Sequence, residues 1–473
     1  MSDWPSIADI ADQVNAGKLS ALDQVKKSLS TIEEKKDYCA IISTLEEPAL
    51  KKAKDIDEKV SRGEKAGRLA GVPFIAKDNF LVFGAETTAA SNILQGFNPP
   101  YQSSAINKLE SEGAICVAKS NLDAFAHGTS TENSDFFVTK NPVDKERVPG
   151  GSSGGSAAAV TLGMAPFALG TDTGGSIRQP ASFCGCVGYK PSYGLVSRSG
   201  VVAMASSTDV IGPLSTNVSD AALVLDVMGG QDPLDSTTIA REDNYTDLSL
   251  DLKTKKIGVI KEYMDEGLEE GVKSSVNQAI EKLKSAGVEV NEISIPDISL
   301  ALASYYIICP AEVSSNLARY DGQRFGYSYK EAKDLEESYK MSRGRGFGKE
   351  AKRRIMIGTY VLSSGYYEAY YNRAQIVRTK LINEFTDAFK KVDLLLGPVA
   401  PTTAFKIGEN INNPLKMYLC DIMTVAANMV GNPSISLPIQ PADGLPVGLQ
   451  LMANSAQDKM LLSAAKQVEE LLK

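Results

Sequence analysis

Residues 149–156 read PGGSSGGS and residues 171–181 read TDTGGSIRQPA, two Gly-Ser clusters close together in a chain whose single histidine is His127. Gly and Ser at such density usually make linkers, because they bury little and cost much entropy to order. Glycine also tolerates positive φ and lets amide groups turn toward a ligand with no side chain in the way. In TDTGGS the amides of Thr173, Gly174, Gly175 and Ser176 can therefore converge on one oxyanion. A phosphate loop is the alternative, but neither cluster has the Gly-x-x-x-x-Gly-Lys-Ser/Thr pattern and PGGSSGGS holds no lysine. A serine in either cluster is a weak nucleophile until a neighbour takes its proton. One histidine excludes a HExxH zinc site, and a Ser-His-Asp triad would have to be built on His127. The remaining bases are Asp, Glu and Lys. A lysine serves only when neutral: in water, with a pKa near 10.4, about one in 2,500 is neutral at pH 7, but burial lowers the value by up to about 3–5 units. Lys77, at the end of the apolar run in GVPFIAKDNF and beside Ala76, is the lysine to examine. Taken alone, it reads first as a strand-end surface residue.

The elements that must position these residues follow from periodicity. Residues 1–64 are rich in Lys, Glu, Leu and Ala, with Ile7, Ile10, Ala11 and Val14 at helical spacing, and predict two or three helices. From residue 65 onward GVPFIAKD, AICVAKS, APFALGTD and GLVSRSGVVA read as strands, with helices SSAINKLESEG and GGSAAAVTLGM between them. That alternation predicts an α/β fold around one large mixed sheet. KKIGVIKEY and VEVNEISI read as further strands flanking the helix EGVKSSVNQAIEKLKSAG, which Gly287 ends. A helical section dense in Tyr and Arg runs from about 310 to 392. DLLLGPVAP, NPSISLP and GLPVGLQLMA return to strands before a closing helix, AQDKMLLSAAKQVEELL. With no internal repeat or low-complexity linker, one domain over 1–473 is expected: N-terminal helices 1–64, a core 65–215, a second α/β and helical layer 255–392, and C-terminal strands with a helix 393–473.

Composition narrows the classes. At 473 residues and 43% hydrophobic the chain can bury a deep site. A net charge of −8 argues against a chain that itself grips a phosphate backbone, so any nucleic acid is expected to be held mainly by a partner. No run of eighteen apolar residues and no signal-peptide pattern stands out, which predicts a cytoplasmic protein with no membrane contact. The six cysteines are scattered; Cys184 and Cys186, separated by one residue, do not have zinc spacing, so reduced core thiols and no metal are expected.

Lys77, GGSSGGS at 150–156 and TDTGGSIRQPASFCG at 171–185 together resemble the amidase signature family, with 75 positions from Lys77 to Ser152 and 24 from Ser152 to Ser176. The resemblance implies a mixed, twisted sheet covered by helices on both faces. It also implies a Ser-cisSer-Lys triad in which Ser176 is the nucleophile, Ser152 the relay with a cis peptide, and Lys77 the terminal base. Thr173, Gly174 and Gly175 would form the oxyanion hole, Ser153 and Ser156 would be supporting hydroxyls, and Arg178 a structural partner. In KSNLDAFAHGTSTENS the family often carries DEFAMG, so Ala124 stands where Glu is expected and His127 where Met is usual. A pocket-lining or gating contact is then expected to be missing at Ala124, and His127 has no family role and reads as a packed or rim residue.

AEVSSNLARYDGQRFG (311–326) and KRRIMIGTYVLSSGYYEAYYNRAQIVR (352–378) resemble one branch of that family, the A subunits of the tRNA-dependent amidotransferases. The resemblance then covers nearly the whole chain. It implies hydrolysis of glutamine to glutamate and ammonia. The ammonia would pass to a B subunit that uses ATP and Mg2+ to amidate Glu-tRNA(Gln) or Asp-tRNA(Asn), in a complex with a C subunit. This chain itself would carry no cofactor. Free glutamine presents an α-carboxylate and an α-ammonium, so a selective pocket needs one cation and one anion at fixed separation. By similarity these are Arg354, next to Arg353 in KRRIMIG, and Asp421 in MYLCDIMT. The rival readings are a stand-alone amidase and a scaffold subunit without catalytic activity.

Overall fold

A computed structural model describes residues 4–241, 244–265 and 267–473 of the chain. Eleven strands form one sheet: β1 (Ile41–Thr44), β2 (Pro73–Lys77), β3 (Ile115–Ser120), β4 (Phe167–Asp172), β5 (Val187–Lys190), β6 (Val210–Ser215), β7 (Lys256–Ile260), β8 (Glu289–Ile293), β9 (Leu394–Pro398), β10 (Ser434–Ala442) and β11 (Leu445–Ala453). Their spatial order is β1-β3-β2-β4-β6-β5-β10-β11-β9-β7-β8. The sheet is mixed: β3, β2 and β4 run parallel, as do β9, β7 and β8, while the strands between them pair antiparallel. β2, β3, β4 and β9 are buried along their whole length, which is why they read as unbroken apolar runs rather than alternating ones.

Two cores lie on the two faces, separated by the period of two along each strand. Leu394 and Leu396 of β9 join one core and Leu395 the other; Leu451 and Ala453 of β11 are likewise divided from Met452. The first core is closed by the N-terminal helices Ile7–Asn15 and Ala21–Glu34 and by helices Gly154–Thr161, Val218–Met228, Glu270–Ser285 and Asp458–Leu472. The second is closed by Ala301–Asn316, Lys349–Val361 and Arg373–Ala388, with the short helix Val425–Val430. The helical section thus begins at 301, earlier than expected. Its residues 296–319 are long and apolar enough by composition to cross a membrane, but half of that stretch is buried within the fold.

One expected strand does not form. GLVSRSGVVA (194–203) is a loop that touches the sheet only through isolated bridges, Val196 with Gly229 and Val201 with Phe80. Gly194 and Gly200, at φ 82° and 76°, turn the chain twice within seven residues and prevent a continuous ladder. Conversely β1, β5 and β6 and the helix Val218–Met228 were not legible as separate elements. Five of the six cysteines are buried, Cys39 is half-buried, and none is in a disulfide.

Candidate active site

The parallel pairing of β2 with β4, in the register Phe74 to Phe167, Ile75 to Ala168 and Ala76 to Leu169, brings the C-terminal ends of both strands to one edge. Lys77 ends the first and Asp172 the second. Gly170 is bare for a reason: a Cβ there would stand 2.9 Å from Ser153 Oγ, so the serine loop could not close over the strand.

Lys77 is fully buried, and its Nζ donates to Ser152 Oγ (2.8 Å), Ser153 Oγ (2.9 Å) and Thr171 Oγ1 (2.9 Å). Burial pushes its pKa down from 10.5 to about 7, against the charges of Asp123, Asp172 and Asp209. The Gly151–Ser152 peptide is cis. Gly151 donates its N–H to Gln179 Oε1 (2.9 Å), and a Cβ at Gly151 would fall 2.2 Å from Asp123 Oδ2. Asp123 in turn accepts from the amides of Thr131 (2.9 Å) and Asn133 (3.1 Å). The loop that carries Ser152 is therefore wedged between two fixed side chains. Ser156 donates to the Leu169 carbonyl (2.9 Å) and lies 2.7 Å from Ser120 Oγ.

The second cluster follows β4. The Asp172 carboxylate accepts from the amides of Ile177 (3.0 Å) and Arg178 (3.3 Å), closing a turn over residues 173–176. Within that turn the amides of Thr173, Gly174, Gly175 and Ser176 donate to no acceptor among the described residues. Gly175 has φ 144°, and a Cβ on it would lie 2.2 Å from Thr424 Oγ1. The Ser176 carbonyl accepts from the Ser153 amide (3.1 Å), joining the two serine loops. No hydrogen bond links Ser152 Oγ to Ser176 Oγ among the described residues. Arg178 is fully buried. It forks onto Asp172 (3.1 and 2.9 Å) and reaches the Thr424 carbonyl, Gln450 and Asn428 at 3.0, 2.6 and 2.6 Å.

Arg354 lies on the inner face of Lys349–Val361 with Ala351, Gly358 and Val361, at spacings of three and four. Gly358 permits the close crossing with Ala301–Asn316, since a Cβ would fall 1.9 Å from the Pro310 carbonyl oxygen. Arg354 is 2% exposed, whereas the Arg353 side chain is 42% exposed and pairs outward with Glu350. The Arg354 guanidinium donates through Nε to Glu350 (2.9 Å) and lies over the rings of Tyr306 and Tyr418, which stack on each other at 4.0 Å. Tyr306 also donates its hydroxyl to Asp421 Oδ2 (3.2 Å), so one tyrosine touches both charged groups. Burial raises the Asp421 pKa to about 8, with Arg354 and the Tyr306 hydroxyl opposing. Gly128, Thr129, Glu132, Tyr306, Arg354 and Tyr418 border a cavity of about 40 Å³ here. Ala124 is buried and brings no polar group to it, and His127 is packed rather than on a rim.

Sequence reasoning missed four contributors: Ser153 and Thr171 as direct contacts of Lys77, Tyr306 as the bridge, and Glu350 as the partner of Arg354. The signal for Glu350 was available, since Glu350 and Arg354 are four apart on one helix. Among the described residues no group of three or more His, Cys, Asp or Glu could hold a metal.

The family model described as Amidase matches residues 23–462. The A subunit of glutamyl-tRNA(Gln) amidotransferase from Thermoanaerobacter pseudethanolicus is 51% identical over 468 residues, covering 98% of this chain and 96% of that protein. Its namesake from Staphylococcus aureus is 48% identical, covering 98% and 97%. Among solved structures, the A subunit of glutamyl-tRNA(Gln) amidotransferase from Thermotoga maritima superposes with a TM-score of 0.81 at 40% identity, covering 99% of this chain and 96% of that one. A peptide amidase from Stenotrophomonas maltophilia gives 0.82 at 27% identity, covering 99% and 97%.

Proposed function

The chain belongs to the amidase family, and from that premise we propose that it is the glutamine-hydrolysing A subunit of a tRNA-dependent amidotransferase. Ser176 Oγ attacks the side-chain carboxamide carbon of glutamine; its proton passes to Ser152 as the Ser152 proton passes to neutral Lys77. The amides of Thr173, Gly174 and Gly175 stabilise the oxyanion. When the tetrahedral intermediate collapses, the C–N bond breaks and the proton returns through Ser152 to the leaving nitrogen, releasing ammonia. Water, activated by the same relay, then hydrolyses the acyl-enzyme to glutamate and frees Ser176. Arg354 binds the α-carboxylate and Asp421 the α-ammonium. B and C subunits complete the assembly in the cytoplasm; the B subunit, with ATP and Mg2+, amidates Glu-tRNA(Gln) or Asp-tRNA(Asn) and carries most of the tRNA contact, consistent with the net charge of −8 here.

What supports this reading most is that a buried cation and a buried anion meet on one tyrosine, Arg354 over the Tyr306 ring and Asp421 at its hydroxyl, the two charges that an amino acid head group needs. A stand-alone amidase acting on neutral amides has no need of it. The test uses the assembled complex with glutamine and then ammonium as nitrogen donor. Ser176→Ala and Arg354→Ala should lose Gln-tRNA or Asn-tRNA formation from glutamine and regain it with ammonium. Failure of ammonium to rescue either variant in an assembled complex would sink the proposal.

A further inference from the structure

His127 is fully buried, and neither of its ring nitrogens has a hydrogen-bond partner among the described residues. Buried polar groups are nearly always paired, because leaving one unpaired forfeits its bonds to water. The backbone that carries it is unusual too: Phe125 and Ala126 have φ of 55° and 63°, the left-handed region that non-glycine residues rarely occupy. Two costs within three residues mark a segment held for its function rather than for its own stability.

The loop is fixed by its surroundings. Asn133 donates its side-chain N–H to the His127 carbonyl (3.0 Å), and the Phe125 ring packs against Tyr320, Phe347 and His127 at centroid distances of 5.1, 5.5 and 6.2 Å. Phe347 lies two residues before the helix that bears Arg354, while Gly128 and Thr129, next in sequence to His127, border the same cavity as Arg354 and Tyr306. Burial and the nearby Arg354 charge both push the His127 pKa well below 6.5, so the ring stays neutral, with one N–H and one acceptor nitrogen. Arg354 spends Nε on Glu350 and turns Nη1 toward Cys309 Sγ at 3.7 Å, so Nη2 has no protein acceptor among the described residues. The arginine and the histidine thus each keep an unspent donor, and His127 is joined through Gly128 and Thr129 to the wall of the cavity that Arg354 also borders.

We infer that His127 is a specificity residue of the head-group pocket: its ring N–H donates to the substrate α-carboxylate that Arg354 pairs with. This rests on the glutaminase reading above. The inference explains why an imidazole stands where an apolar side chain would pack without an unpaired group. It also assigns the histidine to binding and not to proton transfer, since Lys77 supplies the base.

The test compares His127→Met, which fills the site with no donor, and His127→Gln, which keeps an N–H, in the assembled complex. For one lost hydrogen bond to a charged group, His127→Met should raise KM for glutamine about tenfold with kcat within about twofold, while His127→Gln stays within about threefold in KM. With glutamine α-amide, which lacks the carboxylate, the Met variant should match wild type. Ammonium-driven amidation should be unchanged. The Met variant should also melt no lower than wild type, because it removes two unpartnered groups and breaks no side-chain bond. An unchanged KM in His127→Met, an equal loss in both variants, or a melting point well below wild type would each overturn the inference. If the wild-type complex releases no ammonia from glutamine, the parent reading fails and takes this one with it; if it does and only the Met variant's KM is unmoved, this inference alone fails.

Discussion

Lys77 sets a pH dependence that can be worked out from its surroundings. Burial among hydroxyls and a carbonyl takes its pKa from 10.5 to about 7. That difference corresponds to about 5 kcal/mol of preference for the neutral amine, at about 1.36 kcal/mol per unit. A sizeable share of the proposed base is then neutral near pH 7, where a solvated lysine would be so in roughly one of 3,000. The kcat profile reports the substrate complex, in which the glutamine ammonium keeps Asp421 ionised, so log kcat should rise with slope one up to about pH 7 and then level. The kcat/KM profile reports the free protein, where Asp421 must also ionise and burial has raised it to about 8. Its slope should therefore exceed that of kcat and approach two on the acid side. Acid unfolding driven by these two groups does not imitate the limb. The depressed Lys77 value makes its contribution to stability fall as pH drops from 10.5 toward 7 and stay constant below, while the raised Asp421 value makes its contribution fall as pH climbs from 3.8 to about 8, so that acid favours the fold there. The assay is ammonia release from glutamine by the assembled complex between about pH 5.5 and 8.5. A kcat that is flat through pH 7, or substantial turnover in Lys77→Arg, whose guanidinium stays charged, would refute the assignment of Lys77 as base.

The nucleophile turn and its buried anchor give two further tests. Gly175→Ala forces a Cβ to within 2.2 Å of Thr424 Oγ1 at φ 144°, so the turn must shift and glutaminase activity should fall about 10²–10³-fold, as for loss of an oxyanion donor, with circular dichroism unchanged; near-normal turnover would mean that these amides do not face the reacting carbonyl. Arg178→Lys loses the fork onto Asp172 and the bonds to Gln450 and Asn428, and should destabilise the protein by about 3–5 kcal/mol in urea unfolding. An unchanged urea midpoint would show that the network contributes little.

The parts of this architecture that the sequence reveals are those with a local cause. β2, β3, β4 and β9 are buried on both faces, so each is an apolar run bounded by turn residues and is visible without any partner. Residues 194–203 have the same apolar texture, yet two left-handed glycines make them a loop; their φ values depend on what the loop crosses, Ser103 at Gly200 and Thr237 at Gly194. Lys77 could be picked out because a chain with one histidine needs another base for its serines, and because its spacing to the two serine clusters is that of the family. The contacts of Ser153 and Thr171 with it could not, since a hydroxyl in a Gly-Ser cluster or a strand is ordinary until the lysine is seen between them. Tyr306 is likewise one of many tyrosines, and only the helix crossing at Gly358 makes it the bridge between Arg354 and Asp421.

The two halves of the site are not independent. Thr424 donates its hydroxyl to the Gly174 carbonyl (2.6 Å) and gives its own carbonyl to Arg178 (3.0 Å), while Asn428 donates to the Asp172 carbonyl (3.0 Å). Asp421 lies on the same turn, its carbonyl accepting from the amides of Thr424 and Val425 (both 3.0 Å). The anion proposed to grip the substrate ammonium is therefore bonded, through three residues and buried contacts, to the turn that carries Ser176. Tyr306 extends the same chain of contacts to Arg354. A substrate held at both ends of its head group would consequently have its carboxamide placed relative to Ser176 by protein bonds rather than by loop mobility. Positioning of this kind lowers the barrier by entropy already lost on folding. It also means that selectivity for an amino acid and reactivity of the serine draw on one network, so a change at Thr424 or Asn428 disturbs both even though neither side chain is assigned a contact with substrate.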